Sequence, residues 1–314
     1  MAQYLILKDG LSAAHQLEKE VTSACREALK KGMDRISALK SREDWEALRA
    51  ELNEVFRGAF PEIMNRRAPI QARTVSVREY DDFVQENLLF CSLPGWEVNA
   101  TLYRPKKEGK YPGVICPLGH SEKWYPDHYQ SAQSIARNGY VSVIFDAPMF
   151  GELSRLNDHF ENGVLEWLTG LWSQMHFVGD ALACVDYLET RPDVDSSKGF
   201  AMTGVSGGGL TTVYASAYDP RITFMAPVSC ITDVEKLYLT DLYTACTEQF
   251  GRGFHGAGMD MLQLLALSAP KPMVIMGGKL DEVFDYRVVE RVYQQVKRIY
   301  AFYGCEDNIE LYIQ

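Results

Sequence analysis

The sequence predicts an α/β fold in which a mostly parallel central sheet is covered by helices on both faces. Short, continuous apolar runs alternate with helical stretches from about residue 113 to residue 314, and such runs are typical of parallel strands buried on both faces. A glycine-rich turn separates one of these strands from the next helix. The 314 residues are 46% hydrophobic and 24% charged, a balance typical of a folded globular protein.

Residues 1–68 are predicted to form a helical segment ahead of the sheet. Apolar residues spaced by four predict a first helix, capped by Ser12 and ended by Gly32. Ser41 and Asp44 match a capping box at the start of a second helix. The segment carries no catalytic-looking set of residues. We therefore expect it to serve in packing or as the surface of a homo-oligomer.

Residues 69–314 are predicted to form the second domain, beginning with an antiparallel meander at one edge of the sheet. An alternating pattern predicts the three strands of that meander at 74–78, 84–90 and 98–103. The continuous apolar strands that follow are predicted at 113–116, 141–145, 199–203, 222–228, 273–276 and 309–313. Helical patterns fill the gaps, for example at 177–188 and 288–300.

Charge and composition exclude several classes of partner. The net charge is −10 and no cluster of lysines and arginines forms a stripe or tail, so neither nucleic acid nor an acidic membrane is expected as a partner. No uncharged run approaches the ~18 residues of a membrane helix, and the first apolar stretch is too short for a signal peptide. Seven scattered cysteines without a CxxC pair indicate reduced thiols. A cytoplasmic location is the resulting expectation.

The turn at 204–209, Gly-Val-Ser-Gly-Gly-Gly, matches the G-x-S-x-G nucleophile elbow. A serine on a very tight strand-to-helix turn projects its hydroxyl at the carboxyl edge of the sheet, and small neighbours let other chain segments pass close by. The alternative is a glycine-rich turn that binds phosphate or only packs. A phosphate loop would place a lysine after the glycines, whereas Leu210 follows here. Ser206 is therefore the candidate nucleophile.

From about Lys106 to Gln314, roughly two thirds of its length, the chain resembles the α/β-hydrolases. Within them it is similar to the acetyl xylan esterase-like, dienelactone hydrolase-related group. Besides the elbow, the similarity rests on the turn at 146–152, the segment 186–195 that leads to the elbow strand, and the Asp-Pro-Arg-Ile run at 219–222. The resemblance implies an α/β-hydrolase fold and a serine carboxylesterase that cleaves short acyl esters, acetyl esters among them.

The resemblance also implies the residues that would stabilise the oxyanion. Gly207, directly after the nucleophile, would donate one backbone N–H. The second donor would come from the loop after the strand at 113–116, where His120 is best placed and Ser121 is next. The group usually has His-Gly in this loop, and Leu118-Gly119 departs from that pattern. A leucine there removes no backbone donor, so the oxyanion hole is still expected.

Asp281 matches the acidic position of the group's Ser-His-Asp triad, with Glu282 and Asp285 as alternatives that could instead cap the next helix. In this fold the histidine follows the acid along the chain, yet all six histidines precede Asp281. Three explanations are open. The base lies beyond Gln314 in a longer protein, which we favour. His120 or His255 replaces it. Or the protein is a catalytically impaired relative that acts as a binding or assembly module.

Two insertions, at 153–175 and 231–261, are rich in aromatic and aliphatic residues and are expected to shape an apolar pocket. Trp124, Trp172 and Phe150 are the predicted pocket residues. No metal-ligand spacing and no dinucleotide fingerprint occur, so neither a metal nor another cofactor is expected. A small ester is the expected substrate. Carbon–carbon bond hydrolysis and peptide cleavage are alternatives, because the triad alone does not separate these reactions.

Overall fold

The computed structural model describes residues 16–60, 70–154, 159–238, 246, 248–249 and 251–314, except for the side chains of residues 17, 18, 153, 159–161, 237 and 238. The predicted cap Ser12, His15 and parts of both insertions lie outside the described residues, as does the side chain of His159.

The described residues form helices and strands close to those expected from the sequence pattern. The strands are β1 Arg73–Glu79, β2 Phe83–Leu93, β3 Trp96–Pro105, β4 Gly113–Pro117, β5 Val141–Phe145, β6 Phe200–Val205, β7 Ile222–Val228, β8 Met273–Gly277 and β9 Ile309–Ile313. The helices are α1 Gln16–Ala38, α2 Arg42–Gly58, α3 Pro126–Arg137, α4 His159–Thr169, α5 Gln174–Glu189, α6 Gly207–Tyr218, α7 Val234–Tyr238, α8 Met261–Ala266 and α9 Tyr286–Ala301.

These strands join in one sheet in the order β1-β2-β3-β5-β4-β6-β7-β8-β9. The first four in that order pair antiparallel, and β5 through β9 pair parallel. The predicted α/β fold, with an antiparallel meander at one edge, is therefore confirmed. Because the parallel strands point the same way, the loops that follow β4, β6 and β8 emerge at one edge of the sheet.

The two N-terminal helices differ in how well the sequence predicted them. The capping box at the start of α2 is confirmed, since the side chain of Ser41 accepts from the backbone of Asp44 and the side chain of Asp44 accepts in return. The prediction that Gly32 ends the first helix is wrong, because α1 continues to Ala38. Gly32 instead allows a close approach, since a Cβ there would lie 1.9 Å from the carbonyl oxygen of Gly258.

The apolar face of α2 is buried against the rest of the protein. Trp45, Leu48, Leu52 and Phe56 are each at most 6% exposed and belong to the same core cluster as the apolar residues of the central strands. The four residues are spaced by three or four, which places them on one face of the helix. The apolar face that could have served an oligomer surface is thus covered within the chain. No helix in the described part of the chain is long and apolar enough to cross a membrane.

Candidate active site

Ser206 lies in a strained turn between β6 and α6. Its φ of 57° and ψ of −122° place a non-glycine residue at positive φ, a conformation that costs energy and is maintained only where the surroundings enforce it. The backbone N–H of Ser206 donates to the carbonyl of Val228 at 2.9 Å, and its carbonyl accepts from Leu210 at 3.0 Å. These bonds to β7 and α6 hold the turn, which has the geometry expected of a nucleophile elbow.

The glycines of the motif are required by close backbone contacts. A Cβ on Gly204 would lie 2.5 Å from the carbonyl oxygen of Pro117, and a Cβ on Gly208 would lie 2.1 Å from the same atom. A Cβ on Gly119 would lie 2.9 Å from the backbone nitrogen of Gly207. The elbow and the loop after β4 therefore pack backbone against backbone, which fixes the position of that loop relative to Ser206.

The residues predicted to form the oxyanion hole are neighbours in space. An ideal Cβ on Gly207 would lie 3.9 Å from the backbone nitrogen of His120. Gly207 is also the first residue of α6, whose unpaired N–H groups and positive dipole end favour negative charge at this position. The backbone amides of Gly207 and His120 thus lie on adjoining segments beside the hydroxyl-bearing turn.

Ser206 opens into a narrow cavity with about 380 Å³ of empty space, part of it open to solvent. The elbow, the loop after β4 and several apolar side chains form its walls. The lining residues are His120, Ser206, Gly207, Leu210, Cys230, Thr232, Glu248, Gln249, Met261 and Phe284.

His120 forms the main polar contact of this cavity. Its Nε2 lies 2.6 Å from Oε1 of Glu248, a residue that is 1% exposed. Burial alone would disfavour the imidazolium. Hydrogen bonds to Cys246 and Glu248 and the attraction of Glu248 outweigh that effect and raise the pKa of His120 to about 10. His120 is therefore a cation at neutral pH, suited to donate a hydrogen bond rather than to take a proton from a serine.

His120, Cys246 and Glu248 also have their ligand atoms within 4.8 Å of one another, and zinc accepts these three ligand types. The 2.6 Å between Nε2 and Oε1 is a hydrogen-bond distance, however. Two ligands of one tetrahedral zinc ion, each about 2.0–2.1 Å from it, would stand about 3.3 Å apart. The described geometry is that of a hydrogen-bonded cluster. Sequence spacing does not reveal this cluster, because His120 is far from Cys246 and Glu248 along the chain.

Asp281 lies in the loop between β8 and α9, beside the cavity. Its Oδ1 accepts from the backbone N–H groups of Val283 and Phe284 at 3.0 and 2.9 Å, and Phe284 lines the cavity. Among the described residues, nothing donates to its Oδ2. Asp285 accepts from the backbone of Arg287 and caps α9, the structural role foreseen for it.

The histidines within the described residues have other partners than Asp281. His128 contacts the hydroxyl of Ser121 at 3.0 Å, and His176 contacts Glu166 at 2.8 Å. His255 places Nδ1 3.3 Å from the carbonyl of Met259 and does not line the cavity. Of these histidines, His120 alone lines the cavity of Ser206.

The three predicted pocket residues occupy different surroundings. Phe150 stacks against the ring of His120 with centroids 5.3 Å apart. Trp124 is 49% exposed and lines a larger cleft, whose other lining residues include residues of β1, β2 and β3. Trp172 is only 1% exposed and lies in an aromatic cluster with Tyr214 and Phe254. The pocket assignment of Trp172 is corrected accordingly, because within the described residues its ring packs against the rings of Phe60, Tyr214 and Phe254.

A buried ion pair, not anticipated from the sequence, anchors the loop that carries His120. Asp146 is fully buried and accepts from the backbone N–H of Lys123 at 2.8 Å and from its ammonium at 3.0 Å. The turn around Asp146 needs Gly151, because a Cβ there would lie 2.4 Å from the carboxylate. The ammonium and the backbone N–H of Lys123 thus hold this loop in place through the buried carboxylate.

The chain matches a known protein family and a curated relative. The model of the family described as X-Pro dipeptidyl-peptidase (S15 family) matches residues 94–272, a segment that contains the turn at Ser206 and the loop after β4. Over 136 residues the chain is 32% identical to acetyl esterase Axe7A of Xylanibacter ruminicola. That match covers 39% of this chain and 30% of the relative, so the chain spans well under half the length of this curated relative.

Solved structures share the fold at low sequence identity. Methylesterase BT1017 superposes with a TM-score of 0.73 at 23% identity, covering 92% of this chain and 63% of its own. A glucuronoyl esterase from Solibacter usitatus superposes with a TM-score of 0.65 at 16% identity, covering 88% of this chain and 89% of its own. Acetyl xylan esterase 1 from Thermoanaerobacterium sp. JW/SL YS485 superposes with a TM-score of 0.58 at 18% identity, covering 84% of this chain and 85% of its own. These similarities show an α/β-hydrolase fold.

Proposed function

The chain belongs to the X-Pro dipeptidyl-peptidase (S15) family, and from that premise we propose that it is a serine hydrolase of the carboxylesterase type that cleaves short acyl esters. One observation carries the proposal. Ser206 occupies a strained, positive-φ elbow at the wall of a cavity, and the amides of Gly207 and His120 lie beside it. Such an arrangement serves nucleophilic attack on a carbonyl.

In the proposed reaction the hydroxyl oxygen of Ser206 attacks the ester carbonyl and its proton passes to a base. The backbone N–H groups of Gly207 and His120 hold the negative charge of the tetrahedral intermediate. The imidazolium of His120 adds positive charge to the same loop. Collapse of the intermediate expels the alcohol, which takes up the proton. Water then releases the acid from the acyl-enzyme by the reverse sequence of proton transfers.

The base we propose is a histidine oriented by Asp281, as the family resemblance implies. Asp281 is suited to that role because two backbone N–H groups fix its Oδ1. The alternative base is His120 with Glu248 as the orienting carboxylate. It is less suited, because the raised pKa of His120 keeps it protonated at neutral pH.

Two isosteric variants separate these arrangements. If Asp281 orients the base, Asp281→Asn lowers kcat for p-nitrophenyl acetate by about 10⁴-fold, as loss of the correct tautomer does in such triads. Glu248→Gln then has a far smaller effect. The reverse ranking would assign the base to His120. Circular dichroism and thermal unfolding of both variants check that neither loss reflects unfolding.

Peptide cleavage is the second candidate, favoured by the description of the family. An enzyme that removes N-terminal dipeptides has to hold the substrate's ammonium group, which calls for an available carboxylate. Among the described residues that line the cavity, Glu248 is the carboxylate, and it is already paired with His120. The relative Axe7A, named an acetyl esterase, also supports the ester. Turnover of glycyl-prolyl-p-nitroanilide at a rate above that of p-nitrophenyl acetate would reverse this preference.

An acetyl group is the acyl group we propose, because the cavity is narrow and acetyl esters are the substrates named for the sequence relative. Carbon–carbon bond hydrolysis remains the third chemistry that the same residues could perform. A cytoplasmic location and a homo-oligomer stay predictions from the sequence. Size-exclusion chromatography with light scattering tests the oligomer directly.

A further inference from the structure

Three side chains from distant parts of the sequence meet at the wall of the cavity of Ser206. His120 belongs to the loop after β4, and Cys246 and Glu248 belong to the insertion after β7. Their ligand atoms lie within 4.8 Å of one another. We call these residues the His-Cys-Glu cluster. The proposed reaction makes no use of the thiol of Cys246, so the cluster has a chemistry that the reaction leaves unexplained.

We propose that the His-Cys-Glu cluster binds one Zn²⁺ ion, and that the bound ion closes the cavity of Ser206 to the ester. The binding of zinc is independent of the proposed function, whereas its effect on ester turnover rests on that function. Three features carry the inference: the chemistry of the ligand set, the way its two segments are held, and its position at the cavity wall.

The ligand set suits zinc better than the hard divalent cations. A cysteine sulfur, an imidazole nitrogen and a carboxylate oxygen are all zinc ligands. Mg²⁺ and Ca²⁺ take oxygen ligands, so a thiolate in the set selects against both. Three protein ligands leave the fourth position of a tetrahedral ion to water. The cluster therefore corresponds to an open zinc site rather than to a closed structural one.

The distances within the cluster allow the ion after a small adjustment. A hydrogen bond of 2.6 Å joins Nε2 of His120 and Oε1 of Glu248. Around a tetrahedral zinc ion these two atoms stand about 3.3 Å apart, so they separate by about 0.7 Å. A small torsion change in the side chain of Glu248 moves Oε1 by that amount. The sulfur of Cys246 would stand about 3.6 Å from each of them, within the 4.8 Å that the cluster spans.

Binding exchanges protons for the ion. Zinc needs a neutral imidazole and a thiolate, so the imidazolium of His120 and the thiol of Cys246 release their protons to the solvent. The carboxylate of Glu248 stays ionised. No electron is transferred, and no further reagent is required. Because protons leave, the affinity for zinc rises with pH.

The two segments that carry the ligands are held separately. In the insertion, the backbone N–H of Gln249 donates to the carbonyl of Cys246 at 3.1 Å. The carbonyl of Gln249 accepts from the hydroxyl of Tyr214 on α6 at 2.6 Å. On the other side, the ring of His120 stacks against Phe150. Ligands that are ordered before the ion arrives lose little freedom on binding it, which favours a well-formed site.

The cluster is closed towards the protein and open towards the cavity. Cys246 and Glu248 are 5% and 1% exposed, whereas the side chain of His120 is 27% exposed. His120 and Glu248 line the same narrow cavity as Ser206. A water ligand on the ion would take space in that cavity that the acyl group needs. Zinc is therefore expected to compete with the ester, raising KM for p-nitrophenyl acetate and leaving kcat unchanged.

The test of binding does not depend on catalysis. Untagged protein is freed of metal and titrated with Co²⁺, whose bond to a thiolate gives a charge-transfer band in the near ultraviolet, and Zn²⁺ then displaces the cobalt. The proposal predicts this band at one ion per chain. Cys246→Ser abolishes the band and weakens zinc binding by more than the ~10–100-fold that loss of a supporting residue costs. Cys230→Ser, which removes another thiol of the same cavity wall, leaves both unchanged.

Kinetics give the second arm. Zinc raises KM for p-nitrophenyl acetate in the parent, and EDTA restores the original value. Mg²⁺ and Ca²⁺ at the same concentration have no effect. In Cys246→Ser, and in Glu248→Gln as a second variant, that zinc concentration leaves KM unaltered. Thermal unfolding of both variants checks that they are folded.

The outcomes separate the zinc site from the esterase. Equal zinc inhibition of the parent and Cys246→Ser, a cobalt band that Cys230→Ser removes, or no metal binding by an enzyme that hydrolyses the ester would each overturn the zinc site. Bound zinc without a change in KM would overturn the closure of the cavity. A cobalt–thiolate band that depends on Cys246, in a protein without ester turnover, would contradict the proposed function and support the zinc site.

Discussion

The contact between the elbow and the loop after β4 makes a sharp prediction for Gly208→Ala. The added methyl group would lie 2.1 Å from the carbonyl oxygen of Pro117 and 2.9 Å from the carbonyl carbon of Leu118. Both atoms belong to backbone, so no side-chain rotation relieves the contact. Either the loop that leads to His120 or the start of α6 therefore has to move.

The required movement can be estimated from the structure. Ordinary van der Waals contact begins at 3.4 Å, so the oxygen must retreat by about 1.3 Å, the difference between 3.4 and 2.1 Å. A displacement of about 1 Å in positioned groups can cost 10²-fold in rate. Alanine is favoured over glycine within a helix by about 1 kcal/mol, whereas overpacking costs about 1–3 kcal/mol. We therefore expect a folded, modestly destabilised enzyme that is about 100-fold slower.

The assay is kcat/KM for p-nitrophenyl acetate, with urea unfolding of the same preparations. Gly58→Ala is the matched control, because a Cβ there meets nothing within 4 Å and should leave the rate unchanged. If Gly208→Ala kept the activity of the parent, the loop after β4 could move away from the added methyl group without loss of rate. That result would contradict an oxyanion donor at the backbone of His120.

Three further predictions concern single side chains. The folded-state pKa of His120, about 10, lies above its ordinary 6.5, so its pairing stabilises fully below pH 6.5 and is lost as pH rises through 10. Between pH 6.5 and 10 the free energy of unfolding should fall more in the parent than in His120→Gln. The same dependence of that free energy on pH in both proteins would refute the ion pair. Trp172→Ala should cost about 3–5 kcal/mol in urea unfolding with KM unchanged, whereas a raised KM with unchanged stability would restore its pocket role. Lys123→Met leaves the buried charge of Asp146 unpaired, which costs about 3–5 kcal/mol. An unchanged unfolding midpoint would contradict that pairing.

Much of the fold could be predicted from local sequence patterns. The strands β5, β7 and β9 match the predicted ranges residue for residue, because continuous apolar runs bounded by turns identify buried parallel strands. The end of the first helix could not be predicted, because Gly32 is a local stop signal on its own. Gly32 is a glycine because the backbone of Gly258 lies close to it. Gly258 is 226 positions away, so the residues near Gly32 give no indication of this contact.

The candidate site shows the same division. The tight strand-to-helix turn at Ser206 and Gly207 could be predicted, because it is a contiguous motif and its glycines are required by close backbone contacts. The pairing of Glu248 with His120 could not be predicted. The two residues are 128 positions apart, and neither has a distinctive sequence neighbour. Trp172 was misassigned because an aromatic residue in an insertion has the same sequence pattern whether it lines a pocket or fills the core.

We propose that Ser206 is an activated nucleophile in an ester hydrolase. The most direct measurement is covalent labelling by a fluorophosphonate probe, followed by peptide mass spectrometry and compared with p-nitrophenyl acetate turnover before and after labelling. If Ser206 is the nucleophile, the probe gives a single adduct on Ser206, turnover falls in proportion to labelling, and Ser206→Ala shows neither adduct nor turnover. Turnover that survives complete labelling, or that is equal in Ser206→Ala, would contradict it.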